Sequence, residues 1–400
     1  MTTRIATSNA FDSAIDSLMT RQRGLSEAQM QLTSLKRVNR ASDDPAAAAR
    51  AERAMAREQR GEANLRAVEA SRTNMSLSES TLGSATELMQ QVREALVAAG
   101  NASYSDAERA RIGESISAMR SQLLALANSA DGAGRYLFGG QGSSEPPFVD
   151  VPGGVQFRGV PGQLAAGGEP GLVLSMDGQG LWLSAPSGNG VFETRAITST
   201  GSAWVNAGSV TNPSALTGSS YSVQFSVAAG VTTYTVLQDG AGTALTNVPY
   251  VPGAAIEVDG MALTIQGNPA NADVFDAIPS TRSLSAFDML DRAAVALKTP
   301  LRGAGQIKQG VADSLRDLDA VTAQVQSARA SAGETLNQLD GNGARLLDAN
   351  LQASTERSEA EDLDMVKALS DFQRRQTGYD AALKSYSLVQ RLSLFQYLNP

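Results

Sequence analysis

The 400-residue chain contains no cysteine and no histidine. The first absence rules out disulfides, thiolate metal sites and cysteine nucleophiles. The second removes the side chain best suited to proton transfer near neutrality and the commonest transition-metal ligand. Aromatic residues are scarce, at 5%, which suits elongated helices with thin apolar seams better than a thick globular core. No apolar run approaches the ~18 residues that a membrane helix needs. Residues 1–30 mix polar and apolar side chains without an apolar block or a small-residue cleavage site, so no conventional secretory leader is expected.

What is present is unevenly distributed. Of the 37 glycines, 23 lie between Gly139 and Gly267, and 11 of the 14 prolines lie between Pro146 and Pro279. Residues 139–281 hold two basic residues, Arg158 and Arg195, against ten acidic ones. This stretch therefore carries a net −8, the whole net charge of the protein, and the flanks, with 31 residues of each sign, are neutral. Within the stretch, runs at 155–160, 171–176, 221–227, 231–237 and 262–266 alternate β-branched and aromatic residues with polar ones, as half-buried strands do. Turn pairs separate them, such as Asp177-Gly178, Asp239-Gly240 and Asp259-Gly260. An all-β insert, sandwich or barrel-like, is expected.

The flanks read as long helices. Phe11, Ile15, Leu18, Gln22, Leu25, Gln29 and Leu32 step by four and three residues without a miss, as do Met365, Leu369, Phe372, Gln376, Tyr379, Leu383, Tyr386 and Gln390. Similar stripes run through 112–130 and 307–332. A strict alternation of four and three keeps every member on one slowly winding seam, the pattern of a coiled coil. Asp44-Pro45 reads as an N-cap followed by proline at the first helical position, opening a helix to about Ala99. Ser105 and Glu108 read as a capping box, opening a helix that ends near Phe138. After the insert, helices are expected with breaks around Pro300 and 341–343. The fold class is α+β: a long coiled-coil-like helical rod built from both termini, with a compact all-β insert. The expected division is a terminal helix at 1–40, helical rod at 41–138, an outward insert at 139–281, rod again at 282–357 and a terminal helix at 358–400.

Both terminal stripes carry glutamines. A buried amide without a partner costs ~1–3 kcal/mol, so these helices are expected to be poorly ordered alone and to fold when several copies supply apolar cover and amide partners. Leu392 and Phe395 belong to the most apolar stretch near the C-terminus and are candidates for burial in a neighbour.

The segment Arg37-Val38-Asn39-Arg40-Ala41-Ser42-Asp43-Asp44-Pro45-Ala46 resembles the "R-[VI]-N-x-x-S-D-D-P-A" turn of the flagellin family. Arg135-Tyr136-Leu137-Phe138-Gly139-Gly140, and the segments 356–364 and 382–395, resemble that family's members at the hook–filament junction, and Pro45 points to these rather than to filament flagellins. The resemblance covers both flanks and not the insert. It implies inner α-helical tubes formed by the termini, an insert pointing outward, and self-assembly into a ring. It further implies hook-associated protein 1 and flagellin as neighbours, a cytoplasmic export chaperone on the C-terminal segment, and export by the flagellar type III apparatus on an uncleaved N-terminal signal to an extracellular place in the flagellum. Carried over by position are the seam residues and the turn residues Asn39, Asp43, Asp44 and Pro45.

Nothing in the sequence reads as a catalytic, cofactor or metal site. Asp43-Asp44 fits helix capping, and the acidic residues at 356–364 fit a solvated helical face. The glycines at 139–142 lack the Lys-Ser/Thr of a phosphate loop. With no basic patch and an acidic chain, neither nucleic acid nor a membrane is an expected partner. Alternative readings are a filament flagellin and a secreted coiled-coil adhesin with Trp182 and Trp204 as contacts. A hydrolase using paired carboxylates among Glu145, Asp177, Glu193 and Asp239 is the weakest.

Overall fold

The computed structural model describes residues 2–166 and 172–398, with side chains described between 12 and 388. Helices α1 (Thr2–Ser34), α2 (Pro45–Ala99) and α3 (Asp106–Ala127) precede a central all-β region that holds the short α4 (Gly178–Trp182). Helices α5 (Ala286–Lys298), α6 (Ala304–Glu361) and α7 (Met365–Leu398) follow it. The architecture is α+β, with long helices drawn from both ends of the chain. Two compact units divide it, Met1–Arg66 with Gly343–Pro400, and Ala67–Asn342; α2 and α6 contribute residues to both.

Local chemistry sets most helix ends. Asp44 Oδ1 accepts from Ala47 N at 3.0 Å and caps α2, and Ser105 and Glu108 form a reciprocal capping box on α3. Two ends differ from the sequence expectation. α3 stops at Ala127 rather than near Phe138, because Asp131 turns the chain by accepting from Ala133 N (2.8 Å) and Arg135 N (3.1 Å), and Gly132 and Gly134 take φ of 77° and 89°. Such side-chain-to-backbone bonds compete directly with helix. Conversely, α6 runs unbroken through Gly341 and Gly343. A glycine costs a helix only ~1 kcal/mol, which the packing of the remaining turns outweighs.

In the larger unit, α3 and α5 pack closely. Gly113 permits it, since a Cβ there would stand 2.9 Å from Ala294 O. Ile116, Leu123 and Ala127 of α3 are buried together with Phe287, Leu290 and Leu297 of α5. Residues 139–186 are stitched into this helical core. Phe138 meets Trp182 edge-on at 5.6 Å, and Phe287 lies 6.0 Å from Phe148 and 6.4 Å from Trp182. Backbone polar groups are met by helix side chains: Ser71 Oγ donates to Val173 O (2.6 Å) and Asn74 Nδ2 to Leu174 O (3.0 Å). Asn128 exchanges two bonds with the Phe148 backbone, as a neighbouring strand would. Arg120 is buried between Asp150 (2.8 Å) and Asp291 (3.0 Å), with its guanidinium over the Phe287 ring.

Residues 192–279 form a second packing group with its own core. An antiparallel sheet runs in the spatial order Val231–Gln238, Tyr221–Ala228, Val274–Pro279, Phe192–Thr198. A smaller sheet joins Ala255–Val258, Met261–Gln266 and Trp204–Val205. Tyr221, Val223 and Phe225 alternate inward, and Phe225 meets Tyr250 and Phe275 edge-on at 5.1 and 5.9 Å. The Asp259-Gly260 hairpin takes φ of 53° and 70°, the left-handed pair that matches strand twist.

This group is fastened to α6. Buried Gln309 accepts from Val205 N at 2.8 Å and donates to Asp313 at 2.9 Å. Arg316 donates to Thr194 O (2.6 Å), Asp313 (3.0 Å) and Asp317 (2.9 Å). Burial pushes the Asp313 carboxyl up to about 6, against the pull of Arg316 and Gln309. A free carboxyl titrates near ~4, so between about pH 4 and 6 the folded state holds a proton that the unfolded chain has released. The stability this group contributes falls as pH rises through that window.

Two outcomes are expected. Asp313→Asn flattens the pH dependence of thermal stability between pH 4 and 6.5 relative to the parent, a difference on the order of 2 kcal/mol, read by melts across pH. Ser187 N donates to Thr281 O at 2.9 Å, so residues 190–279 can be replaced by a short Gly/Ser bridge. That deletion is expected to keep the helical circular dichroism and most of the melting temperature. A larger deletion of 145–279, which removes Phe148 and Trp182, is expected to lose both.

Candidate assembly interface

The smaller unit brings the two ends of the chain together. α1 ends at Ser34, where Leu35 takes φ of 59°, and the chain then runs beside the α6–α7 connection. Lys36 and Asp362 form an antiparallel backbone bridge. Arg37 N donates to Glu361 O at 2.7 Å and Leu363 N to Leu35 O at 3.1 Å. Side chains reinforce it: Lys36 pairs with Glu361 at 3.0 Å, and Arg37 reaches Asp44 (3.2 Å) and Ala360 O (2.7 Å).

Each turn residue has a task that its type allows. Asp43 Oδ2 accepts from Asn39 N (3.1 Å) and Arg40 N (2.8 Å). Asn39 Nδ2 donates to Lys36 O. Asp44 caps α2 while Pro45 opens it without a hydrogen to leave unpaired. The Ala47 backbone N–H, followed by the Arg37 side chain, holds the Asp44 carboxyl below the usual range.

α1 packs along α7, and only part of the seam read from the sequence lies in that contact. Leu18, Leu25 and Leu32 face the partner, as do Phe372, Tyr379 and Tyr386, all partly buried. The positions between them do not. On α1 the contact is completed by Ala14 and Ala28, not by Gln22 and Gln29, which are exposed; Ile15 sits half-buried at the border. On α7 it is completed by Ala368 and Ala382, while Leu369, Gln376 and Leu383 are exposed, the two leucines at 50% and 42%. Both registers step by four and three and share every seventh residue, so periodicity alone cannot choose between them. Chemistry does: small alanines suit a close helix contact, whereas amides keep their hydration outside. Phe11, Leu392 and Phe395 lie outside the residues whose side chains are described.

Two glycines that no motif flagged complete the contact. Arg375 Nη1 crosses to Gly24 O at 2.7 Å. Reciprocally, a Cβ at Gly378 would stand 2.9 Å from Arg21 Nη1. Each helix thus offers bare backbone under the other's guanidinium. One exposed side of the pair carries Leu369, Leu383 and the amides Gln22, Gln29 and Gln376.

Known proteins resemble this chain in sequence and in fold. The crystal structure of Xanthomonas campestris FlgL is 30% identical, superposes with a TM-score of 0.67, and is covered over 99% of its length by 77% of this chain. The chain belongs to the flagellin family. Its residues 5–143 match the model of the bacterial flagellin N-terminal helical region. Flagellar hook-associated protein 3 of Escherichia coli K12 is 27% identical over 371 residues, 92% of this chain and 90% of that protein. A crystal structure of flagellar hook-associated protein 3 from Legionella pneumophila superposes with a TM-score of 0.71 at 26% identity, over 77% of this chain and 99% of that one. Within the flagellin family the chain sides with these hook-associated proteins, which are structural components of the flagellum rather than enzymes. Among the described residues, no helix is long and apolar enough to cross a membrane.

The two classes of seam residue separate by experiment. Leu25→Ala or Phe372→Ala is expected to destabilise the α1–α7 pair by roughly 1–2 kcal/mol, because each fills a half-buried contact. Leu369→Ala is expected to stay within about 0.5 kcal/mol. Denaturant melts of the isolated chain, followed by helical circular dichroism, check both. Asp44→Ala is expected to lower the melting temperature at pH 7. That deficit should shrink as pH falls through the range where the folded carboxyl takes up its proton, since a depressed carboxyl stabilises only while ionised.

Proposed function

We propose that this chain forms the hook–filament junction of a bacterial flagellum, self-assembling into a ring between hook-associated protein 1 on one side and flagellin on the other. The observation that carries this reading is the outer side of the α1–α7 pair. Its leucines and amides are presented to solvent at seam spacing, a surface that suits a further helix rather than water. A neighbouring copy supplies that helix, giving the leucines cover and the amides partners. The insert, with all the net charge, points outward. The cysteine-free chain travels through the flagellar type III apparatus on an uncleaved N-terminal signal, with an export chaperone covering the apolar C-terminal stretch until it leaves the cell.

Deleting the gene tests this. The expected phenotype is intact hooks, with flagellin synthesised and shed into the medium as monomer. Absence of flagellin with hooks present would instead mark a filament subunit, and normal filaments with lost attachment would mark an adhesin. In the same background, Leu369→Asp with Leu383→Asp is expected to leave the isolated chain folded yet fail to restore filaments.

A further inference from the structure

A basic row on α2 escaped the sequence reading because its members are spread among alanines and glutamates. Arg50, Arg53, Arg57 and Arg60 are spaced by three, four and three residues, which at 100° per residue confines them to an arc of about 80° and a length of about 15 Å. All four are exposed. They wall a cleft of about 420 Å³ together with Ala56 and Glu356. Glu356 pairs with Arg57. Among the described residues no carboxylate answers Arg50, Arg53 or Arg60. Arg53 and Arg60 turn Nε back onto the carbonyls of Ala49 (3.1 Å) and Ala56 (3.2 Å), leaving the rest of each guanidinium free for a partner.

The complementary row is on α6 of the same unit. Asp348 and Glu359 are exposed and without an ion pair among the described residues. They lie eleven residues apart on one face, about 16.5 Å along the helix, close to the span of the arginine row. Between them Leu351 is 69% exposed, and Leu347 beside it 60%. The two leucines flank the Asp348 end of this face, and exposed Gln352 and Thr355 lie in line between the carboxylates. The arginine row has small apolar ground beside it in Ala49 and Ala56.

We propose that the arginine row of α2 docks on the Asp348–Glu359 face of α6 in an adjacent second copy of the chain. The two rows are different surfaces of one molecule, so the contact is heterologous. Repetition then propagates in one direction and closes only as a ring or continues as a helix, unlike a twofold contact that stops at a pair. Charge fixes which neighbour face is accepted and at what height, while Leu347 and Leu351 lose water on docking. The inference rests on the junction reading and names the side-to-side contact by which copies find one another.

The test uses full-length chains in cells lacking the native gene, reading filament retention against flagellin shed to the medium. The wild-type chain restores retention, whereas R53E/R60E and D348R/E359R each lose it, with helical circular dichroism of the purified variants unchanged. Because every copy carries both rows, the quadruple swap R53E/R60E/D348R/E359R restores retention. Failure of the quadruple variant to recover, or full retention by either double variant, overturns the contact. Failure of the wild-type chain itself removes the junction reading and the contact with it. A second measurement does not depend on charge. The chain has no cysteine, so R53C/D348C adds the only two thiols, and mild oxidation of isolated flagella is expected to yield a ladder of linked copies. Exclusively monomeric chains after oxidation would speak against it.

Discussion

Lys36 and Glu361 are separated by 325 residues, yet their side chains pair and Arg37 N donates to the Glu361 backbone. Everything in the smaller unit depends on this closure. Helices with narrow apolar faces gain little stability alone, and here each terminal helix acquires its partner from the far end of the chain. The loop residues fix the geometry of that meeting. Asp43 rigidifies the turn, Asp44 caps the outgoing helix, and Arg37 ties both to the end of α6. A family motif that reads as a helix cap in sequence is thus also the fastening between the chain's two ends.

The pairing of α1 with α7 uses only part of what the two helices offer. Leucines and aromatic residues at every seventh position meet across alanines, and two arginines lie over two glycines. The remaining leucines and amides stay outside. A chain that hid all of them within itself would have nothing left for a neighbour, whereas a chain that hid none would not hold its ends together. The pair thus divides into a filled inner row that holds the chain's ends together and an outer row left exposed.

The region between the flanks has two physical characters. Its first part shares an aromatic core with α3 and α5, through Phe148, Trp182 and Phe287, and is held to α2 by Ser71 and Asn74. Its second part has an independent core around Phe225 and Phe275 and touches α6 chiefly through polar side chains, Gln309 and Arg316. An apolar core makes the first part integral to the helices. A polar fastening leaves the second an appendage whose attachment responds to pH through Asp313.

By itself the sequence determined the fold class, the placement of helix caps at Asp44 and Ser105, the paired strands at 221–238 and the family, because each rests on short-range rules: a cap needs one side chain, a strand its alternation, a motif its neighbours. It also marked the terminal seams, but only modulo one residue. Whether Gln29 or Ala28, Leu369 or Ala368 faces the partner depends on which surface the other helix brings, and that surface lies more than 300 residues away. The same holds for Gly24 under Arg375 and for the aromatic cluster that binds residues 139–186 to the helices. Tertiary structure decided these, because each is a property of two distant segments meeting, and no local pattern records where a chain will be when it returns.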